Sequence, residues 1–211
     1  MSRGFILIGM KNEKIRGRPK EFDCDQALAA ALDVFWRKGY EGASLADLTE
    51  AMGISRPSLY ATYGNKENLF KLALNRYMSS ASCVARVAQE MPTLYEAVKA
   101  FFEGAAMGVT NPDHPGCLTV TGALACSEES EAVQTELCNA RNAGLLSWQA
   151  RIEQGKAAGE LPADADSLEL ARYIMTIATG MSVQARSGAT SEDLLQVASI
   201  ALQAWPTRSA T

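Results

Sequence analysis

Along residues 23 to 204 the apolar side chains recur three and four positions apart, and nowhere do they alternate for long enough to build a sheet. That pattern predicts an all-α chain. Leu28, Ala31, Leu32 and Phe35 share one helical face behind Asp23, a capping residue, and Gly39 is placed to end that helix. Ser44 caps a short second helix in which Leu45, Leu48 and Met52 repeat before Gly53. A third begins at Ser55 and ends near Gly64. Pro57 sits in its first turn, where the missing N–H would have had no intrahelical partner anyway. Asn65 caps a long fourth helix that carries Glu67 in its first turn. Five more helices are expected over residues 93–109, 117–125, 130–158, 164–186 and 191–204, with Pro112, Pro115, Gly116, Gly159 and Pro162 among the breaks between them.

With 47% apolar and 21% charged residues in 211, the chain can bury a sizeable core. No apolar run approaches the eighteen or so residues that span a bilayer, and Phe5-Ile6-Leu7-Ile8 is too short for an export signal. A cytoplasmic protein without membrane contact is expected. The five cysteines, Cys24, Cys83, Cys117, Cys126 and Cys138, are odd in number and lack metal-ligand spacing, and His114 is the single histidine. Neither a disulfide framework, a metal site nor a cofactor is expected. Charge is uneven: residues 1–80 carry 12 Lys+Arg against 9 Asp+Glu, a net +3, while the overall charge is −4. A locally positive N-terminal part suits DNA phosphates although the whole chain is acidic.

Residues 45–63 form a short amphipathic helix, a glycine-containing turn and a second short helix, the layout of a helix-turn-helix. On the second helix Ile54, Leu59 and Tyr63 are suited to face inward, leaving the hydrogen-bonding side chains of Arg56, Ser58, Tyr60 and Thr62 outward. Lys66 adds a cation beside the N–H groups that open the next helix, a combination that suits a phosphate oxygen. Two readings of these residues stand at this point. They are either a DNA-reading set, or solvated surface charges beside a half-buried packing tyrosine.

The stretch from 22 to 70, FDCDQALAAALDVFWRKGYEGASLADLTEAMGISRPSLYATYGNKENLF, resembles the DNA-binding domain of the TetR family. Ala27-Leu28, Phe35, Gly39-Tyr40, Ser44-Leu45, Leu48, Gly53-Ile54-Ser55, Ser58-Leu59-Tyr60, Tyr63 and Lys66-Glu67-Asn68-Leu69 carry the likeness. The resemblance implies that Ser44, Arg56, Ser58, Tyr60, Thr62 and Lys66 touch double-stranded DNA, with Tyr60 and Lys66 on phosphates and Arg56 and Thr62 reading bases. Pro57 stands where the family often has glycine, and Thr62 where an aromatic or histidine is frequent, so the operator sequence does not carry over.

The domain plan that follows is a flexible basic tail over 1–21, a helix-turn-helix head over 22–68 and a helical regulatory and dimerisation body over 69–211, with the helix from 65 joining them. The resemblance implies a homodimer on a palindromic operator, released by a small-molecule effector. Two stripes suit a dimer interface, Ala171, Ile174, Ala178, Met181 and Ala185, then Leu194, Leu195, Ala198, Ala201 and Leu202; equally, they suit intramolecular core. Phe101, Phe102, Met107, Trp148, Tyr173 and Met175 are expected as ligand-cavity walls, and aromatic residues at helical spacing also serve as plain core.

The segment His114-Pro-Gly-Cys-Leu-Thr-Val-Thr121, with Cys126 and then Val183-Gln-Ala-Arg186, is similar to the regulatory domain of the NemR-like branch, whose members respond to electrophiles. That likeness implies Cys117 as a sensor. Arg186 departs from the branch, which carries its sensing lysine there. Gly116-Cys117 opens a helix, where exposed N–H groups favour a thiolate, though a packed inert thiol fits the same position. An enzyme built on Cys117 and His114 lacks a third partner, so no catalytic residue is expected.

Overall fold

The structure is a computed structural model, and it describes residues 22–79, 84–124 and 130–206. The tail over 1–21, Cys83 and Cys126 lie outside the described residues. Ten helices are found among those described: α1 (Cys24–Gly42), α2 (Leu45–Met52), α3 (Arg56–Tyr63), α4 (Lys66–Ser79), α5 (Val84–Gln89), α6 (Leu94–Val109), α7 (Leu118–Leu124), α8 (Glu131–Ala157), α9 (Ser167–Arg186) and α10 (Ser191–Gln203).

The caps lie where local chemistry demands them. Asp23 accepts from the backbone N–H groups of Asp25 and Gln26, and the Asn65 side chain accepts from the N–H of Asn68 at 2.7 Å. Ser44 and Asp47 exchange hydrogen bonds across the first turn of α2, a reciprocal box that satisfies two otherwise orphaned donors. Gly39 takes φ 71° and interrupts α1 three residues before its end, so the regular helix stops there as expected. The fourth helix ends at Ser79, and a separate α5 precedes Thr93, an element the periodicity did not predict.

Two hydrophobic clusters organise the packing. In the head, Phe35 meets Phe70 edge to face at 5.1 Å, with Leu48, Leu59 and Leu69 fully buried around them. In the body, Phe102, Trp148, Ile152 and Ile174 are the fully buried centre between α6, α8 and α9. The head cluster does not close on itself. Leu118 of α7 and Val133 and Leu137 of α8 belong to it, so body side chains complete the head's core.

The two stripes proposed for a dimer interface are corrected here. Ala171, Ile174, Met181, Ala185, Leu194, Ala198 and Ala201 are all buried within the one chain, and Ala178 and Leu202 pack against the same cluster. Only Leu195 stands outside it. An apolar stripe must be covered, and α6 and α8 cover these two. The apolar side chains that α9 and α10 leave exposed are Val183, Leu195, Val197 and Ile200.

Candidate nucleic-acid interface

Helix α3 is eight residues long and is held from behind. Leu59 is fully buried, Tyr63 is nearly so, and the Tyr63 hydroxyl donates to the Cys24 carbonyl at 3.2 Å. Gly53 at φ 65° makes the turn from α2, a conformation that favours glycine because a Cβ would crowd the backbone. With that inner edge locked, helical geometry points the opposite side to solvent. Arg56, Pro57, Ala61 and Thr62 are exposed, Tyr60 is about half exposed and Ser58 is partly so.

Each residue of the expected set has a definite local position. Ser44 is the exposed N-cap of α2, its hydroxyl donating to Asp47 at 2.7 Å. The Ser58 and Ser55 hydroxyls lie 2.9 Å apart, so Ser58 is engaged in capping α3 while remaining at the surface. Lys66 is half-buried with its Nζ 4.4 Å over the centre of the Tyr40 ring. Burial pushes its ammonium below the ordinary lysine range, and the Glu41 carboxylate pulls it back. A cation with part of its hydration already removed is well placed to take a phosphate oxygen. Asp47 is held down at about 2, first by the Lys38 ammonium at 2.6 Å and then by the Ser44 hydroxyl and N–H.

Cys117 lies where head and body meet. Its Sγ is 3.2 Å from the Tyr77 hydroxyl of α4 and 3.1 Å from the Thr119 hydroxyl. Its own backbone N–H donates to the Ser182 hydroxyl of α9 at 2.7 Å. Within one residue of contact it therefore touches the helix that enters the head and a buried helix of the body. Cys138 is an exposed free thiol beside Arg141, whose Nη2 is 3.2 Å from its sulfur.

The expected cavity walls are packed on one another. Phe101 and Trp148 have ring centres 5.0 Å apart, Phe102 and Tyr173 6.4 Å, and the Tyr173 hydroxyl donates to the Ala201 carbonyl. Met175 is partly buried, its methyl lying against Gly144. Met107 is a correction: it is 66% exposed and faces away from this interior, because no described helix covers its side of α6. An open groove lined by Leu28, Leu72, Asn75, Arg76 and Ser79 lies against the head and its linking helix instead.

Residues 27–73 match the family model described as bacterial regulatory proteins, tetR family, and residues 95–199 match the one described as tetracyclin repressor-like, C-terminal domain. The HTH-type transcriptional repressor ComR of Escherichia coli (strain K12) is 38% identical over 197 residues, covering 92% of this chain and 94% of ComR. The chain belongs to the TetR family. Members are transcriptional regulators and not enzymes, and that assigns the same to this chain. Among solved structures, a cysteine-substituted mutant of the TetR family regulator CifR, complexed with 26-bp operator DNA, is 44% identical. It matches at a TM-score of 0.85 over 90% of this chain and all of that one. The reduced form of Escherichia coli NemR matches at 0.77 over 88% of this chain and 98% of that one, but at 17% identity it shows the fold alone.

Within this TetR-family head, two features escaped sequence reasoning. Pro57 and Ala61 are four apart on the side opposite Leu59 and Tyr63, which puts them at the middle of the exposed face. A helical wheel anchored on Leu59 and Tyr63 would have found them. On that wheel Tyr60 and Ser58 flank the pair of Pro57 and Ala61, one on each side. Tyr40 was noted only as part of a motif, whereas its ring seats Lys66. No helix among the described residues is long and apolar enough to cross a membrane.

Proposed function

We propose that this chain is a cytoplasmic transcriptional repressor that binds a palindromic operator in double-stranded DNA as a homodimer and leaves it when a small-molecule or electrophile signal reaches the body. The exposed face of α3 carries this reading. Its inner edge is anchored by Leu59 and Tyr63, while Arg56, Tyr60, Ala61 and Thr62 are free to meet a groove. Arg56 and Thr62 read base edges, the Ala61 methyl offers an apolar contact to a thymine methyl, and Tyr60, Lys66, Ser44 and Ser58 hold phosphates. The similar repressors ComR and BdcR of Escherichia coli, and the CifR mutant held on its operator, support it.

One α3 touches too few base pairs to be specific against a genome, so two must act together. The dimer face in this reading is the exposed side of α9 and α10, with Gly180, Val183, Leu195 and Ile200 at its centre. A Cβ on Gly180 would meet nothing within 4 Å among the described residues, which leaves room for a partner helix to come close.

Cys117 is the sensor in this reading, because its sulfur contacts the Tyr77 hydroxyl of the helix that carries the head. A second reading has one observation in its favour. Trp148 is 1% exposed and its indole Nε1 finds no hydrogen-bond acceptor among the described residues. Buried donors are rarely left so, and a non-covalent apolar effector bearing one acceptor would satisfy it. Selection of duplexes from random DNA followed by footprinting tests the main reading. A protected palindrome bound by two chains is expected, and a saturated complex holding one chain would overturn it.

A further inference from the structure

We infer that the segment joining α6 to α7, residues 110–117, is a strap that fixes the rotation of the DNA head on the body through His114, Asp33 and Trp36. Its body side is anchored three times. The Gly116 N–H donates to the Val109 carbonyl at 2.7 Å, and the Cys117 N–H donates to Ser182 of α9. Gly116, at φ 84°, sits so close beneath α9 that a Cβ there would lie 3.0 Å from the Arg186 Cγ. Its head side grips α1. His114 Nε2 is 3.1 Å from an Asp33 carboxylate oxygen, and its ring centre is 4.9 Å from that of Trp36. Trp36 in turn meets Tyr77 of α4 edge to face at 4.8 Å.

The physical consequence comes from counting constraints. The α4 connection, the Leu118, Val133 and Leu137 side chains buried in the head's core, and the hydrogen bond from Ser130 to Glu41 already hold head to body. The strap adds a polar and aromatic attachment at α1, on a different helix of the head from α4, which further limits rotation about the α4 axis. Its far end is bonded to α9, the helix whose outer face the proposed dimer uses. Asp33 is about half exposed, so its ion pair alone is worth little. The tilted ring contact with Trp36 and the backbone anchors behind His114 give the contact its hold. In a dimer, the rotation of each head sets the distance between the two reading helices, so the strap governs which half-site spacing is accepted.

This rests on the repressor reading, and the test separates the two. The probe is the palindromic duplex selected from random DNA by the unmodified full-length protein. Variants of that duplex have the half-site spacing changed by one base pair, and a further duplex carries a single half-site. Affinities are measured for the wild type, Asp33→Ala, His114→Ala and the double variant, with thermal melting to confirm that each is folded. The wild type is expected to prefer the native spacing about tenfold. His114→Ala should lose threefold or more of that preference and Asp33→Ala a smaller but measurable part, both binding the single half-site unchanged, and the double variant should lose no more than His114→Ala. An unchanged spacing preference, or an equal loss on every duplex including the single half-site, overturns the strap. If selection yields no palindrome, the repressor reading fails first and takes the strap with it. His114→Phe keeps a flat ring against Trp36 without the pair to Asp33, so it should retain part of the preference if the ring contact contributes as argued.

Discussion

At the residue scale the decisive contrast is between side chains that meet phosphates and those that meet bases. Lys66, seated on Tyr40, is assigned to a phosphate. Lys66→Ala should weaken binding to all duplexes alike and flatten the dependence of log affinity on log salt by about 0.9. Arg56→Ala should instead change which base is preferred at one position, at a cost of about 1–3 kcal/mol on the selected site. An unchanged salt slope for Lys66→Ala would remove it from the phosphate set. Asp47 gives a separate prediction in pH. Its carboxyl lies at about 2 in the folded chain against an ordinary 3.8, so its contribution is fully present above 3.8 and is lost as pH falls towards 2. The gap in melting temperature between wild type and Asp47→Asn should therefore close over that interval, and a gap that persists at the acid end would contradict the capping role.

At the scale of elements the strap and the start of α7 matter most, because they meet both halves of the molecule. Gly116→Ala must carry a left-handed backbone and also push against Arg186 and Thr121, whose atoms would lie 3.0 Å from the new methyl. A loss of about 1–3 kcal/mol is expected from the backbone conformation alone, read by chemical denaturation. Cys117 is tested by treating wild type and Cys117→Ser with a quinone or hypochlorite and measuring operator affinity, with Cys126→Ser and Cys138→Ser beside them. Release confined to proteins that keep Cys117 is expected, and roughly hundredfold release corresponds to about 3 kcal/mol. Equal release from Cys117→Ser would end the sensor assignment. Tyr77→Phe removes the hydroxyl that the sulfur touches and should weaken the response without abolishing operator binding.

At the scale of the whole molecule, the proposed function depends on two copies holding their heads at one separation. Ile200 is 66% exposed on α10, and an apolar side chain of that size is costly to leave in water when nothing needs it there. Ile200→Glu should give a folded monomer, read by analytical ultracentrifugation, that still binds a single half-site weakly and no longer prefers the palindrome. A variant that stays dimeric at low micromolar concentration would move the interface elsewhere. The same substitution on the buried neighbour, Ala198→Glu, should unfold the body instead, because Ala198 is 1% exposed in the core. That difference separates an interface residue from a core residue two positions away.

Much of this was legible in the residues alone, because caps, turns and helical periods are settled by neighbours within a few positions. Ser44 and Asn65 cap helices as expected, Ser55 and Thr93 stand at the expected helix starts and cap them, and Leu59 and Tyr63 mark the inner face of α3 without reference to anything distant. What the local pattern left open was the partner of each apolar stripe. Periodicity says that Ala171, Ile174 and Ala198 are covered, and only packing decides that α6 and α8 cover them and leave Val183 and Ile200 outside. Met107 has the chemistry and spacing of a cavity wall, and it faces solvent because no helix among the described residues lies over its side of α6. The contact of His114 with Asp33 and Trp36 joins residues far apart in the chain, so no local rule could announce it. Secondary structure was determined by short-range hydrogen bonding and periodicity, whereas the seam between head and body was decided by the tertiary fold, since its contacts exist only once distant helices are brought together.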